Sequence, residues 1–281
     1  MDGNESKAAV KKGFADDLRQ MGVVTKYEFL KHLRSRRMLV FTVITVLLIS
    51  LITALNLILD GKLPDDSSRL LSRYLGNIDL VLIIGVSLFF ASTIAAEFEE
   101  RTALLMFPRP IKKTSFFMGK VFACYLVCGL VVLLYYAICM ILSLISAGDL
   151  DMNVFGSLAM AMLFMFGAGG FALLLSSLFK KGSTAVIMTI AMLLLIFNIV
   201  DQMLCFFDIE PAYSIVYAAK DISNFIDMNP HINDMSHLLP PGAPISLKFY
   251  YPYHEAALVI SVIWGTVLTT ISAFLFKRRE F

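Results

Sequence analysis

The chain has 281 residues, 58% of them hydrophobic and only 16% charged, with a mean hydropathy of +0.76. A soluble domain carries roughly 45–50% apolar residues, so a membrane protein is the first expectation. The net charge of +2 argues against a nucleic-acid binder, which meets phosphate with a clearly basic surface.

Residues 1–24 form a polar cytosolic N-terminal segment with Lys7, Lys11, Lys12, Asp16, Asp17 and Arg19. No apolar core of a secretory signal lies close behind the start, so the first apolar run reads as a retained span. Residues 25–37 read as an amphipathic elbow helix lying along the membrane. Thr25 is its expected cap, Tyr27, Phe29, Leu30 and Leu33 its apolar side, and Lys26, Lys31, Arg34, Arg36 and Arg37 its polar side.

A membrane-spanning helix needs about 20 mostly apolar residues. Stretches 38–59, 79–96, 118–146, 154–179, 183–207 and 256–276 qualify. Unpaired backbone groups are not tolerated in lipid, so each is a helix and not a strand. The fold class that follows is all-α integral membrane, a six-span domain over 25–281.

Orientation follows from the distribution of Lys and Arg, which cytoplasmic segments retain. With the N-terminus inside, the outer side holds only Lys62, Arg69, Arg73, Lys220 and Lys248, and the remaining 19 of the 24 basic residues fall inside. Both termini are therefore expected in the cytosol of a multi-pass protein of the cell membrane. Outside, residues 60–78 read as a loop with little structure. The segment 208–255 is long enough to form a small cap, with an amphipathic helix over 213–226 and a break at Pro240, Pro241 and Gly242.

The inner loop 97–117, EFEERTALLMFPRPIKKTSFF, is the most polar stretch between spans on that side. Glu97, Glu99 and Glu100 leave the second span, a helical turn with Ala103, Leu104 and Leu105 follows, and Pro108 and Pro110 end it. A short helix with an apolar edge facing water calls for a partner; the plainer reading is a connector whose acids meet nearby basic groups or lipid.

Three stretches carry a resemblance to a known family: KYEFLKHLRSRRML in the elbow, EFEERTALLMFPRPIKKTSFFMGK after the second span, and the ending AFLFKRREF. Together they resemble the permeases of ATP-binding cassette exporters of the second class, the ABC-2 class. Glu97 and Glu99 match the acidic pair of that pattern, Thr102 its threonine, Pro110 with Lys112 or Lys113 its turn, and Gly119 and Lys120 its Gly-Lys. Arg101 and Ala103 depart from it, where Gly and Leu are more usual.

The resemblance implies that loop 97–117 is a coupling helix docked on a separate cytosolic ABC ATPase subunit. It also implies that two permeases pair, as a homodimer or with a relative. Glu97, Glu99 and Glu100 would then serve docking or anchor the loop, and Lys112 and Lys113 would meet the partner or lipid headgroups.

No phosphate-binding Gly-rich loop ending in Gly-Lys-Ser or Gly-Lys-Thr occurs in the sequence. ATP is therefore expected on the partner subunit, with no catalytic residue, cofactor or metal in this chain. His32, His231, His237 and His254 lie outside the six expected spans, so the paired histidines of an intramembrane zinc enzyme are not formed. The four cysteines, Cys124, Cys128, Cys139 and Cys205, all fall in apolar runs, which implies no disulfide framework. Cys124 and Cys128 share a helix face and read as packing groups before they read as soft-metal ligands.

Asp201 reads as a hydrated acid at a helix end, and Gly167, Gly169 and Gly170 as a close helix–helix contact before a hinge. A gradient-driven carrier, or a membrane scaffold without transport, is the alternative functional class. The spans do not select a substrate.

Overall fold

The computed structural model describes residues 14–99, 112–234 and 248–278. Six candidate spans are long and apolar enough to cross a membrane: Arg36–Leu59, Ser67–Glu97, Lys113–Ser146, Asn153–Leu178, Gly182–Phe206 and His254–Arg278. They coincide with the six expected stretches to within a few residues, except that the second begins twelve residues early.

Helix α1, Phe14–Leu33, precedes the first span. It starts eleven residues before the expected elbow and ends at Arg34 and Ser35. Thr25 is not its cap but an interior residue, whose hydroxyl donates to the Met21 carbonyl at 2.8 Å and the Gly119 carbonyl at 3.2 Å. Ser35 instead caps α2, Arg36–Asp60, its Oγ accepting from the Met38 amide. Gly61, at φ +72°, ends α2 in the left-handed conformation that a side chain would oppose.

The expected loop 60–78 contains α3, Ser67–Leu75, capped by Asp66 and followed by α4, Ile78–Glu99. Leu70, Leu71, Tyr74 and Leu75 are buried on one side of α3, the spacing of a helix that docks on a core. Its start is held by a polar knot. Ser67 Oγ lies 2.9 Å from Ser143 Oγ and accepts from the Asp151 amide, and Ser68 donates to Asp151 Oδ2.

Helices α5, Lys113–Ser146, and α6, Asn153–Leu178, are the third and fourth spans. The fifth is composite: α7, Gly182–Ile190, a π-helical segment Ala191–Ile196, and α8, Phe197–Phe206. The wider turn diverts the carbonyls of Leu193 and Leu194 to the Asn198 side-chain amide, at 3.2 and 3.1 Å. Asp201, in α8, is buried and not at an open helix end; it is 2% exposed and accepts from the Tyr213 hydroxyl at 3.4 Å.

The cap contains two short helices where one was expected, α9, Ile215–Ala219, and α10, Asp221–Asp227. Ile215, Val216, Ala219, Ile222 and Ile226 are all buried. A two-stranded antiparallel ladder, β1 Ile232–Asp234 with β2 Lys248–Tyr250 in the register Asn233 to Phe249, was not foreseen. The last helix is α11, His254–Arg278.

Helices α4 and α6 form the centre, and α2, α7–α8 and α11 expose most of their surface. The glycines of α6 settle as a packing device. A Cβ at Gly170 would lie 3.0 Å from the Gly265 carbonyl oxygen and 3.1 Å from its Cα, so α6 and α11 touch backbone to backbone. Without water to expel, spans associate through such close contact.

Candidate functional site

At the basic ends of the spans, α1, α4 and α5 meet around one buried cation. Lys120 of α5 is 4% exposed, and its Nζ donates to Glu28 Oε1 of α1 at 2.6 Å and to Glu97 Oε1 of α4 at 2.7 Å. The ammonium also lies over the Phe116 ring, 5.0 Å from its centroid. A charge withdrawn from water is stable only when paired and hydrogen-bonded, and here three helices must be in register to supply the partners.

Two carboxylates against one ammonium leave one negative charge in excess. Lys31, on the exposed rim of α1, offsets it from 3.9 Å from Glu97 Oε1. His32 stands one turn after Glu28, its Nε2 3.9 Å from Glu28 Oε2 and its ring edge-on to Phe89. Burial holds the His32 pKa down to about 4; Glu28 pulls the other way, and Lys120, Lys31 and Arg37 oppose protonation. The imidazole is therefore neutral at pH 7. Arg37 completes the ring, donating to Ser92 Oγ at 2.6 Å.

These groups surround a cavity of about 230 Å³ lined on one side by Ser92, Thr93 and Ala96 of α4.

Gly119 lets α1 come this close. A Cβ there would stand 2.8 Å from Val24 Cβ and 3.0 Å from the Met21 carbonyl oxygen. The adjacent Gly-Lys pair thus has two distinct tasks: contact at Gly119 and charge at Lys120.

Of the other residues singled out in the sequence, Glu99 is exposed, and its Oε2 accepts from the Gly182 amide at 2.9 Å. That places a carboxylate on the first amide of α7, where the helix dipole favours negative charge, and ties the second span to the fifth. Lys112 forms an ion pair with Asp17 of α1. Lys113 opens α5 and is half-buried. Glu100, Thr102 and Pro110, with the expected coupling helix, lie outside the described residues.

Glu28 and His32 were not among the residues chosen from sequence. Their signal was present: an acid and an imidazole four apart in the elbow sequence, and a lysine near the start of an apolar span, where a charge needs a partner. The buried side of α1 is the polar one. Tyr27 is 69% exposed and Leu30 38%, whereas Glu28 and His32 are both 8% exposed.

Among the described residues no group of three or more His, Cys, Asp or Glu could hold a metal ion. The four cysteines are buried and unpaired.

No curated protein matches the chain. Residues 23–281 match the family model described as ABC-2 family transporter protein, a match that takes in α1 from Val23 onward, all six candidate spans and the three-helix ion cluster. The chain belongs to the ABC-2 family of membrane transporter proteins.

Proposed function

We propose that this chain is the permease subunit of an ATP-driven exporter, drawing its power from a separate cytosolic ATPase subunit that alone handles ATP. In this reading both termini and the segment 100–111 face the cytosol of a cell-membrane protein, and two permease chains, identical or related, pair to form the pathway. Glu99, Glu100, Thr102 and Pro110 belong to the surface that meets the ATPase, with Lys112 and Lys113 at its edge.

The observation that carries the proposal is the Glu28–Lys120–Glu97 cluster. Segment 100–111 is bounded by Glu99 at the end of α4 and Lys112 before α5, and both helices are clamped to α1 by that one lysine. A push on the segment cannot move α4 or α5 independently of α1 without separating a buried ion pair. The three therefore move as one lever, which is what coupling a remote ATPase to the spans requires. ATP acts on such a lever only through contacts that differ between two states.

The test is an affinity purification in mild detergent with ATP hydrolysis assayed on the product. A stoichiometric ATPase, stimulated by this chain and released by Glu99→Lys with Glu100→Lys, is the expected result. Unchanged stimulation in that double variant would remove the coupling role of the segment. A chain that purifies alone and without ATPase activity belongs to a gradient-driven carrier.

A further inference from the structure

A second polar cavity lies at the opposite ends of the spans, under the cap. It has a volume of about 240 Å³ and sits where the end of α3, the start of α4, α8, the α9–α10 pair and β2 meet. That is below the roughly 300–1,000 Å³ of a drug-sized pocket, so its occupant is small.

Two of the lining side chains offer acceptors only. Asp79, half-buried in the first turn of α4, takes no hydrogen bond beyond the amides of Leu80 and its own backbone. Asn198 commits its side-chain N–H donors to the carbonyls of Leu193 and Leu194, which the π-helical segment diverts to it. Its Oδ1 is left as the free end, and Asn198 lines the cavity. Such π turns within α-helices are frequent at functional sites.

The third group is a donor. Lys220, between α9 and α10, is half-buried and lines the same cavity. Its Nζ is held only loosely, 5.7 Å from the Tyr217 ring centroid. Among the described residues neither Asp79 nor Lys220 has an ion-pair partner, and they do not pair with each other. Half-buried charges of opposite sign, kept apart across one small space, are both satisfied only by a ligand that carries the complement of each. A lone cation would leave Lys220 open, and a lone anion would leave Asp79 open. The remaining wall is apolar, with Leu75, Ile78 and Val216.

We infer that this cavity binds a small zwitterion of the amino-acid type. Its ammonium donates to Asp79 and to Asn198 Oδ1, its carboxylate accepts from Lys220, and its side chain rests against Leu75, Ile78 and Val216. Asn198 then links the ligand to the π turn of the fifth span. The site uses neither segment 100–111 nor the Glu28–Lys120–Glu97 cluster, so it stands or falls apart from the exporter reading.

The experiment titrates L-leucine and L-phenylalanine calorimetrically into the full chain in phosphatidylcholine nanodiscs. Each is compared with its deaminated acid, which lacks the ammonium, and with its amide, which lacks the carboxylate. At least one amino acid should bind with a Kd below about 1 mM and at least about tenfold more tightly than either analogue, a preference of about 1.4 kcal/mol. Asp79→Asn should remove the preference over the deaminated acid and keep that over the amide, and Lys220→Met should do the converse. In the unmodified chain, a deaminated acid that binds as tightly as its amino acid would show apolar uptake only, and an amide that does so would show a cation site only. Either result overturns the proposal, whether or not the variants fold. O-phosphoethanolamine binding more tightly than both amino acids would uphold the zwitterion site and assign it to a lipid headgroup; no saturable binding of any of the three would overturn it.

Discussion

Replacing Lys120 with methionine keeps the volume of the side chain and removes its charge, leaving Glu28 and Glu97 facing each other in a site where each is at most 8% exposed. At 2.6–2.7 Å each ion pair is worth about 6 kcal/mol of Coulomb attraction at an effective dielectric of about 20. Desolvation of the ammonium and the repulsion between the two acids offset most of that sum. Breaking a buried pair by removing one partner costs about 3–5 kcal/mol net, whereas removing the whole set is close to neutral. Lys120→Met should therefore lower the thermal unfolding midpoint in nanodiscs by about 6–10 °C, taking roughly 2 °C per kcal/mol for a chain of this size. Adding Glu28→Gln and Glu97→Gln should restore most of the loss. The fluorescence of Trp264, the one tryptophan in the chain, reports the transition. A triple variant as unstable as the single one would refute the electrostatic account and leave lost packing as the cause.

Gly170→Val must push α11 off α6, since the new carbons meet the backbone of Trp264 and Gly265; overpacking of this kind costs about 1–3 kcal/mol, read as a lower midpoint and a shifted Trp264 emission. Asn198→Leu strips the carbonyls of Leu193 and Leu194 of their shared donor and should cost about 1–3 kcal/mol, or straighten the fifth span into an α-helix, which backbone hydrogen exchange distinguishes. His32 titrates at about 4 when folded against 6.5 when unfolded, so below pH 6.5 the unfolded chain binds the extra proton first. Stability from this group is complete above pH 6.5 and is lost as pH falls toward 4, by up to about 3 kcal/mol; His32→Gln should flatten that part of the stability–pH curve.

The spans were legible because burial in lipid imposes one requirement on some twenty consecutive residues, and no local preference competes with it. Short elements lack that averaging. In SSRLLSRYL the two arginines and three serines conceal four apolar residues at helical spacing, and α3 becomes evident only when Leu70, Leu71, Tyr74 and Leu75 are seen against a core. The π segment has no compositional mark, since AMLLLI suits an α-helix equally; Asn198, whose side chain takes the diverted carbonyls, is the residue that signals it. At the candidate site, the motif that drew attention to Glu97 and Lys120 did not predict that they pair with each other, because the pairing crosses between helices. Lys120 counted only as half of a Gly-Lys step, and its lone charge inside an apolar stretch was the physical clue to Glu28.

Helix α1 shows why hydrophobic patterning alone misplaces such an element. An amphipathic helix on a soluble protein turns its apolar side to the core, and Tyr27 and Leu30 would then lie inside. A bilayer edge accepts Tyr and Leu without loss, while α5 offers a lysine, 4% exposed, whose charge is met by Glu28 and Glu97. Satisfying that charge is worth more than hiding two apolar side chains that lipid hides equally well. The inner face of α1 is consequently Thr25, Glu28 and His32, and the outer one is Val23, Tyr27 and Leu30. A helix held by directional, charge-assisted contacts has one docked position, since sliding by a turn would exchange Glu28 for Val24 or His32 opposite Lys120. Such a helix transmits displacement of α4 and α5 with little slip, whereas an apolar seam of the same area would tolerate several registers.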